Sequence, residues 1–261
     1  MHVTTSRESR NPVTDVVLSE RRKLLKTNDI LRSEKFGTQC ATHISGPEIQ
    51  PSHYLHSITI NSKEYTMQNP NIINGVNVDD LTATMEAIQE NPAIASFQFK
   101  ARNQWVQGGL NQTTISDFYG ACEERQHKNT FVLKADEPAV LLSTDEGANP
   151  VEYALTALAS CVTTALVYHA AARGIRIECV ESTLEGDLDI QGLLGMDENV
   201  RRGYEGVRMT FKMKGDMPQE EMMEVLKLGP TFSPVFDIFT NKVPVTVMME
   251  HNGEPMTVMQ A

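Results

Sequence analysis

Asn149-Pro150-Val151-Glu152 opens the stretch that decides the fold, and Ala159-Ser160-Cys161-Val162-Thr163-Thr164 continues it. Asn149 is a good N-cap, and Pro150 suits the first helical position, where its missing N–H costs nothing. Asp145 and Glu146 stand just upstream, near the positive end of the helix dipole. No Gly or Pro interrupts the run until Gly174, a suitable stop behind Arg173. Between Glu152 and Arg173 nothing is formally charged at pH 7 beyond the protonated fraction of His169. The run therefore predicts one long helix, apolar and buried nearly all round. It is long enough to cross a bilayer. Thr156, Ser160, Thr163, Thr164 and His169 dilute it, so a central core helix is the expectation. Cys161 in its middle is either inert packing or a reactive thiol shielded from water.

The chain has 261 residues and a net charge of −11. That length suffices for one sizeable core with an appendage. The acidic balance argues against nucleic acid and anionic membrane surfaces as partners. The N-terminus lacks an apolar signal region, and the four cysteines (Cys40, Cys122, Cys161, Cys179) form no CxxC pair. A cytoplasmic protein with reduced thiols is expected, with no membrane partner. Residues 1–66 carry nine Lys/Arg against seven Asp/Glu and few apolar patterns. They read as a flexible or loosely docked extension, and 67–261 as the folded domain. The extension holds Cys40-x2-His43 and His53-x2-His56, a zinc-like spacing with no apolar set to fold round it. No metal and no cofactor is expected.

From Asn74 onward the pattern is regular. Asn77 or Asp79 caps a helix through Val78, Leu81, Met85 and Ile88. Ala95 to Val106 alternates as a strand, Gly108-Gly109 turns it, and Gln112 to Phe118 returns. Cys122 follows Gly120-Ala121 in a loop. After the long helix, Ile175 to Ile190 and Val207 to Lys214 alternate as strands. A helix runs from Pro218 to Leu228 and stops at Gly229-Pro230. A short helical piece follows Pro234, and Val243 to Met249 is the last strand. This order predicts an α+β fold, with helices covering an antiparallel-rich sheet. The 13 methionines cluster late and read as adaptable core. His169 is eight residues from Cys161, about 80° round the helix, and reads as a core histidine. No phosphate loop, dinucleotide fingerprint or GxSxG elbow is present.

Asn149-Pro150-Val151-Glu152 with Ala159-Ser160-Cys161, then Ala170-Ala171-Arg173-Gly174-Ile175, resembles the OsmC/Ohr family. So do Phe232-Ser233-Pro234-Val235 with Val243-Pro244-Val245, and between them Val180 to Leu188 and Gly203-Tyr204. The resemblance covers residues 70–250. It implies the OsmC-like α+β fold, with a long central helix and a second helix, in an intertwined homodimer. It also implies thiol-dependent reduction of organic hydroperoxides. The first cysteine attacks as thiolate and becomes a sulfenic acid, and a second cysteine resolves it. An Arg and a Glu keep the thiolate charged, as a thiol in an apolar site requires.

Carried over, Cys161 is the attacking thiol and Ser233 stands where the resolving cysteine would be. Val151 replaces the acid that directly follows Asn-Pro in the best-known peroxidases. Glu152 is one place later, nine residues before Cys161 and half a turn away. It serves a related role or only caps the helix. No Arg lies between Phe131 and Cys161, so Arg102 and Arg125 are the candidates for the catalytic cation. Cys122 or Cys179 could resolve the sulfenic acid, although core packing of Cys179 is the plainer reading. Three functions stay open. One is a one-cysteine peroxidase that uses a hydroperoxide and an external thiol. Another is a binding module for an apolar ligand. The last is a structural Cys161 with function elsewhere.

Overall fold

The computed structural model describes residues 70–261. The 1–66 extension and its Cys/His pattern lie outside the described residues. Two short strands come first, β1 (Ile72–Ile73) and β2 (Val76–Asn77), then α1 (Val78–Glu90). Asn77 caps α1, accepting from the backbone N–H groups of Asp79 and Asp80. Asn74, with φ 53°, turns the β1–β2 chain. Its side chain donates to the Ile175 carbonyl and accepts from the Ile177 N–H, each at 2.9 Å. That pair ties the start of the domain to the segment behind the long helix.

The expected Ala95–Val106 strand is broken in two. Pro92–Ala95 form a 3-10 turn, followed by β3 (Phe97–Phe99) and β4 (Arg102–Gln107). Both pair antiparallel with β5 (Leu110–Gly120), β4 along its first half and β3 along its last three residues. β6 (Glu123–Ala135) pairs antiparallel with β5 as well. This register puts Phe97, Phe99, Phe118, His127 and Phe131 on one face as a contiguous ring ladder, with centroids 5.1–6.3 Å apart. Phe97, Phe99, Phe131 and Trp105 are exposed.

Behind β6 the chain is knotted round one carboxylate. Asp136 is fully buried. It accepts from the Ser143 hydroxyl at 2.5 Å, the Thr144 hydroxyl at 2.7 Å, and the backbone N–H groups of Glu137 and Glu146 at 2.8 and 3.0 Å. A buried carboxylate needs such donors. They gather the connection so that Asn149 arrives at the head of α2 (Pro150–Ala172). The Ser143 hydroxyl above all, then the Glu146 N–H, hold the Asp136 carboxyl well below the usual carboxylate range, against the opposing effect of burial.

The long helix has the expected ends, Asn149 as N-cap and Arg173 as C-cap, with Gly174 at φ 75° behind it. It is not buried all round. Five of its 23 residues are fully buried: Leu158, Val162, Leu166, Ala170 and Ala171. Ala157, Ser160, Thr164 and Tyr168 form an exposed stripe that carries no charge. Among the described residues α2 is the one helix long and apolar enough, by length and composition, to cross a membrane. In this fold its buried face lies on protein.

β7 (Cys179–Asp187) and β8 (Gly206–Lys214) form an antiparallel hairpin, joined through a short α3 (Ile190–Leu194). α4 (Gln219–Phe232) passes through Gly229-Pro230 instead of stopping there. The reason is close packing. Gly229 is buried against α2, where a Cβ would meet Val162 Cγ1 at 2.8 Å and the Val162 carbonyl oxygen at 2.9 Å. α5 (Pro234–Thr240) follows after the single residue Ser233. The last strand is in fact the first arm of a hairpin, β9 (Thr246–His251) with β10 (Glu254–Gln260). The architecture is the expected α+β, antiparallel throughout its sheets. However, α2 packs mainly on α4, α5, β7 and α1. The four-stranded sheet is not among its main neighbours, so the antiparallel sheet that α2 packs on is the β7–β8 hairpin.

Gly229→Ala should destabilise the domain by about 1–3 kcal/mol, the usual cost of overpacking a tight contact. Gly206→Ala, where no atom lies within 4 Å, should change little. Urea denaturation of both variants checks this. A second outcome concerns acid. Because the folded state lowers the Asp136 pKa, its stabilising contribution is complete above the unfolded value, about 3.9, and is lost as pH falls below it. Asp136→Asn should lower stability at pH 7 and flatten its decline below about pH 4, read by thermal melts across pH.

Candidate functional site

Cys161 lies midway along α2, between the buried stripe and the exposed one. It is a free thiol, half-buried. The other free thiol among the described residues is Cys122, exposed at the tip of the β5–β6 turn with φ 67°. Cys179 opens β7 and is half-buried. Cys122 belongs to the four-stranded sheet, so packing within the chain does not present it to α2.

Glu152 is engaged at the helix start. The Asn149 N–H donates to its carboxylate at 2.9 Å, while the Asn149 side chain accepts from the Val151 N–H at 3.0 Å. This is a capping box, which satisfies donors that the first turn leaves unpaired. Nine residues of helix, about 13 Å of rise, separate Glu152 from Cys161. Within one chain Glu152 is a cap.

Ser233 is 3% exposed and caps α5, its hydroxyl accepting from the Phe236 N–H at 3.1 Å. It joins α4 to α5 with no spare residue. Serine is a favoured N-cap because its oxygen reaches the first-turn N–H. The position that resembles a resolving cysteine therefore has a structural role here.

Arg102 forms two hydrogen bonds to Asp117, at 2.5 and 3.0 Å. The hydrogen bond to Arg102, then that from Ser116, hold the Asp117 carboxyl far below its ordinary range. Arg125 donates to the Gly120 carbonyl at 3.2 Å and pairs with Glu123 at 2.5 Å. Both arginines lie on the four-stranded sheet. Folding of one chain does not bring them to Cys161.

Further along α2, His169 stacks on Phe232 with ring centroids 3.7 Å apart. The Arg173 guanidinium lies 3.3 Å from its Nδ1 and donates to its carbonyl at 2.8 Å. Burial first, then the Arg173 charge, lowers the His169 pKa. The imidazole is half-buried, held between the Phe232 ring and the Arg173 guanidinium.

Beside α2 a cavity of about 830 Å³ opens between α2, β8 and α5. Val151, Ala154 and Leu158 form its helix wall, with Phe211 and Phe236 opposite. Val151, the residue in place of the family's acid, faces this space. Tyr204 closes one side, its hydroxyl donating to the Val151 carbonyl at 2.8 Å. Burial, then the nearby Glu152 carboxylate, raise the Tyr204 pKa. Arg201 stands at the rim, and among the described residues it has no ion pair. Ala154 and Cys161 are seven residues apart, about 20° round the helix, so the cavity runs along the thiol's side of α2 and ends short of it. In the sequence Tyr204 belongs to the Gly203-Tyr204 motif, and Arg201 lies just outside it. Gly203-Tyr204 beside two arginines was the available signal. Among the described residues, no group of three or more His, Cys, Asp or Glu is placed to hold a metal ion.

Fold and site together define an antiparallel α+β domain built on one long, uncharged cysteine helix. Residues 143–248 match the family described as OsmC-like protein. Among solved structures, it is similar to an OsmC-like protein from Mycoplasma pneumoniae, at 13% identity over 56% of this chain and 89% of that one, TM-score 0.44. It is similar to an organic hydroperoxide resistance protein OsmC from Legionella pneumophila, at 18% identity over 56% and 92%, TM-score 0.39. It is also similar to the organic hydroperoxide resistance protein OhrB of Bacillus subtilis, at 19% identity over 56% and 93%, TM-score 0.37. At these identities no activity is carried over. No curated protein matches the sequence.

Ser233→Ala should cost about 1 kcal/mol of stability, the usual value of a lost N-cap. Ser233→Cys should cost a similar amount, because sulfur is a weak acceptor. Chemical denaturation of the two variants checks both.

Proposed function

We propose that this protein is a one-cysteine thiol peroxidase of the OsmC type. The observation that carries the reading is Cys161 itself: a free, half-buried thiol in a helix with no Asp, Glu, Lys or Arg after Glu152, inside the family-matched segment. The thiolate attacks the terminal oxygen of an organic hydroperoxide. The O–O bond breaks, the alkoxide leaves and takes a proton to become the alcohol, and Cys161 becomes a sulfenic acid. An external thiol then attacks the sulfenic sulfur, releasing water and forming a mixed disulfide. A second thiol restores Cys161 and departs as disulfide. Ser233 cannot take the resolving part, since its oxygen forms no disulfide and is committed to the α5 cap.

The reading includes a homodimer in the reducing cytoplasm. Two bare surfaces support the dimer: the uncharged stripe of α2 and the aromatic face of the four-stranded sheet. Exposed apolar area of that kind favours a partner. A second copy laying its sheet on α2 would also bring Arg102 or Arg125 toward the thiol.

A second reading rests on the cavity. Its volume and apolar lining suit a small apolar ligand, bound without turnover.

One experiment separates the readings. Substoichiometric cumene hydroperoxide should give a trappable sulfenic acid at Cys161, and dithiol-dependent peroxide consumption should vanish in Cys161→Ser. Full consumption by that variant would overturn the peroxidase reading. Ligand binding alone would instead raise the melting temperature equally in wild type and Cys161→Ser.

A further inference from the structure

Four methionines fall within eleven residues at the junction of β8 and α4: Met213, Met217, Met222 and Met223. All four line one cleft of about 680 Å³, separate from Cys161. Gly215 lies beneath them. A Cβ there would meet the Met222 methyl at 3.0 Å and the Met217 methyl at 3.7 Å, so the two methyls are less than about 7 Å apart. The absent side chain at Gly215 is what leaves room for them to converge. Met223 is 50% exposed, and the other three are half-buried, so the cleft opens to solvent. Apolar packing explains part of the cluster, since Met213 and Met217 also touch the core round Leu166 and Val225. It does not explain why all four side chains line one opening.

We propose that this cleft is a binding site for a soft monovalent cation, Cu(I). Thioether sulfur is a soft donor that selects Cu(I) over the harder divalent metals. Methionine side chains have three rotatable bonds and can turn their sulfurs inward without moving the backbone. Three of the four sulfurs can then make a trigonal set. The Glu178 carboxylate, also in the lining, supplies a counter-charge, and the Lys214 ammonium there opposes it. A thioether has no proton to lose, so the affinity should stay flat between pH 5 and 8, unlike that of a histidine or thiol site.

The test uses the full chain labelled with 13C at the methionine methyls. Cu(I) is added under ascorbate, past the equivalents that the thiols take. The methyl resonances of Met217 and Met222, and of Met213 or Met223, should move together with one further equivalent. Met217→Leu and Met222→Leu preserve volume and apolar packing. Each should weaken that uptake by about tenfold or more, with little change in melting temperature without metal. Unmoved methyls at saturating Cu(I), or unchanged uptake in the double leucine variant, would overturn the site. Neither result bears on the chemistry of Cys161.

Discussion

The contact that the rest of this domain depends on is the crossing of α2 and α4 at Gly229. With no side chain there, the α4 backbone lies directly on Val162 and Leu166. That closeness keeps α4 helical through Pro230, where the local sequence favours a stop. It also carries the chain two residues beyond Phe232 to the head of α5. The stacking of Phe232 on His169 and the burial of Ser233 follow from the same crossing. So does the far wall of the cavity, because α5 lies across α2 only while α4 does.

The head of α2 is held by a second device that does not depend on apolar packing. Asp136 collects four donors from the segment leading into the helix, and Asn149 and Glu152 close the first turn by mutual capping. Tyr204, in the connection that leads into β8, anchors to the Val151 carbonyl. The thiol helix is thus fixed at its N-terminal end by polar chemistry and along its length by close packing. Its remaining surface is uncharged and bare.

Local chemistry in this chain is legible from sequence where neighbouring residues settle it. The cap at Asn149, the stop at Gly174 and the alternation of β7 and β8 all belong to that class. Gly229-Pro230 is different. It reads as a break, and only a helix 67 residues earlier in the chain makes it a packing surface. Ala95–Val106 reads as one strand because its alternation is good; the interruption between β3 and β4 reflects how each half meets β5. Of the candidate site residues, Cys161 is recognisable because an uncharged helix sets it apart. Glu152 and Ser233 were ambiguous, since the same side chains serve catalysis or capping, and hydrogen bonds assign both to capping in this chain. Arg102 and Arg125 are candidates only because no arginine lies between Phe131 and Cys161, and their partners are local to the sheet.

Ser233 has one more consequence. Where a helix joint is closed by a disulfide, its shape is tied to electron flow, and each turnover must open and reseal it. Here the α4–α5 joint is closed by a hydroxyl on a backbone N–H, which neither gains nor loses electrons. The joint itself is therefore redox-silent.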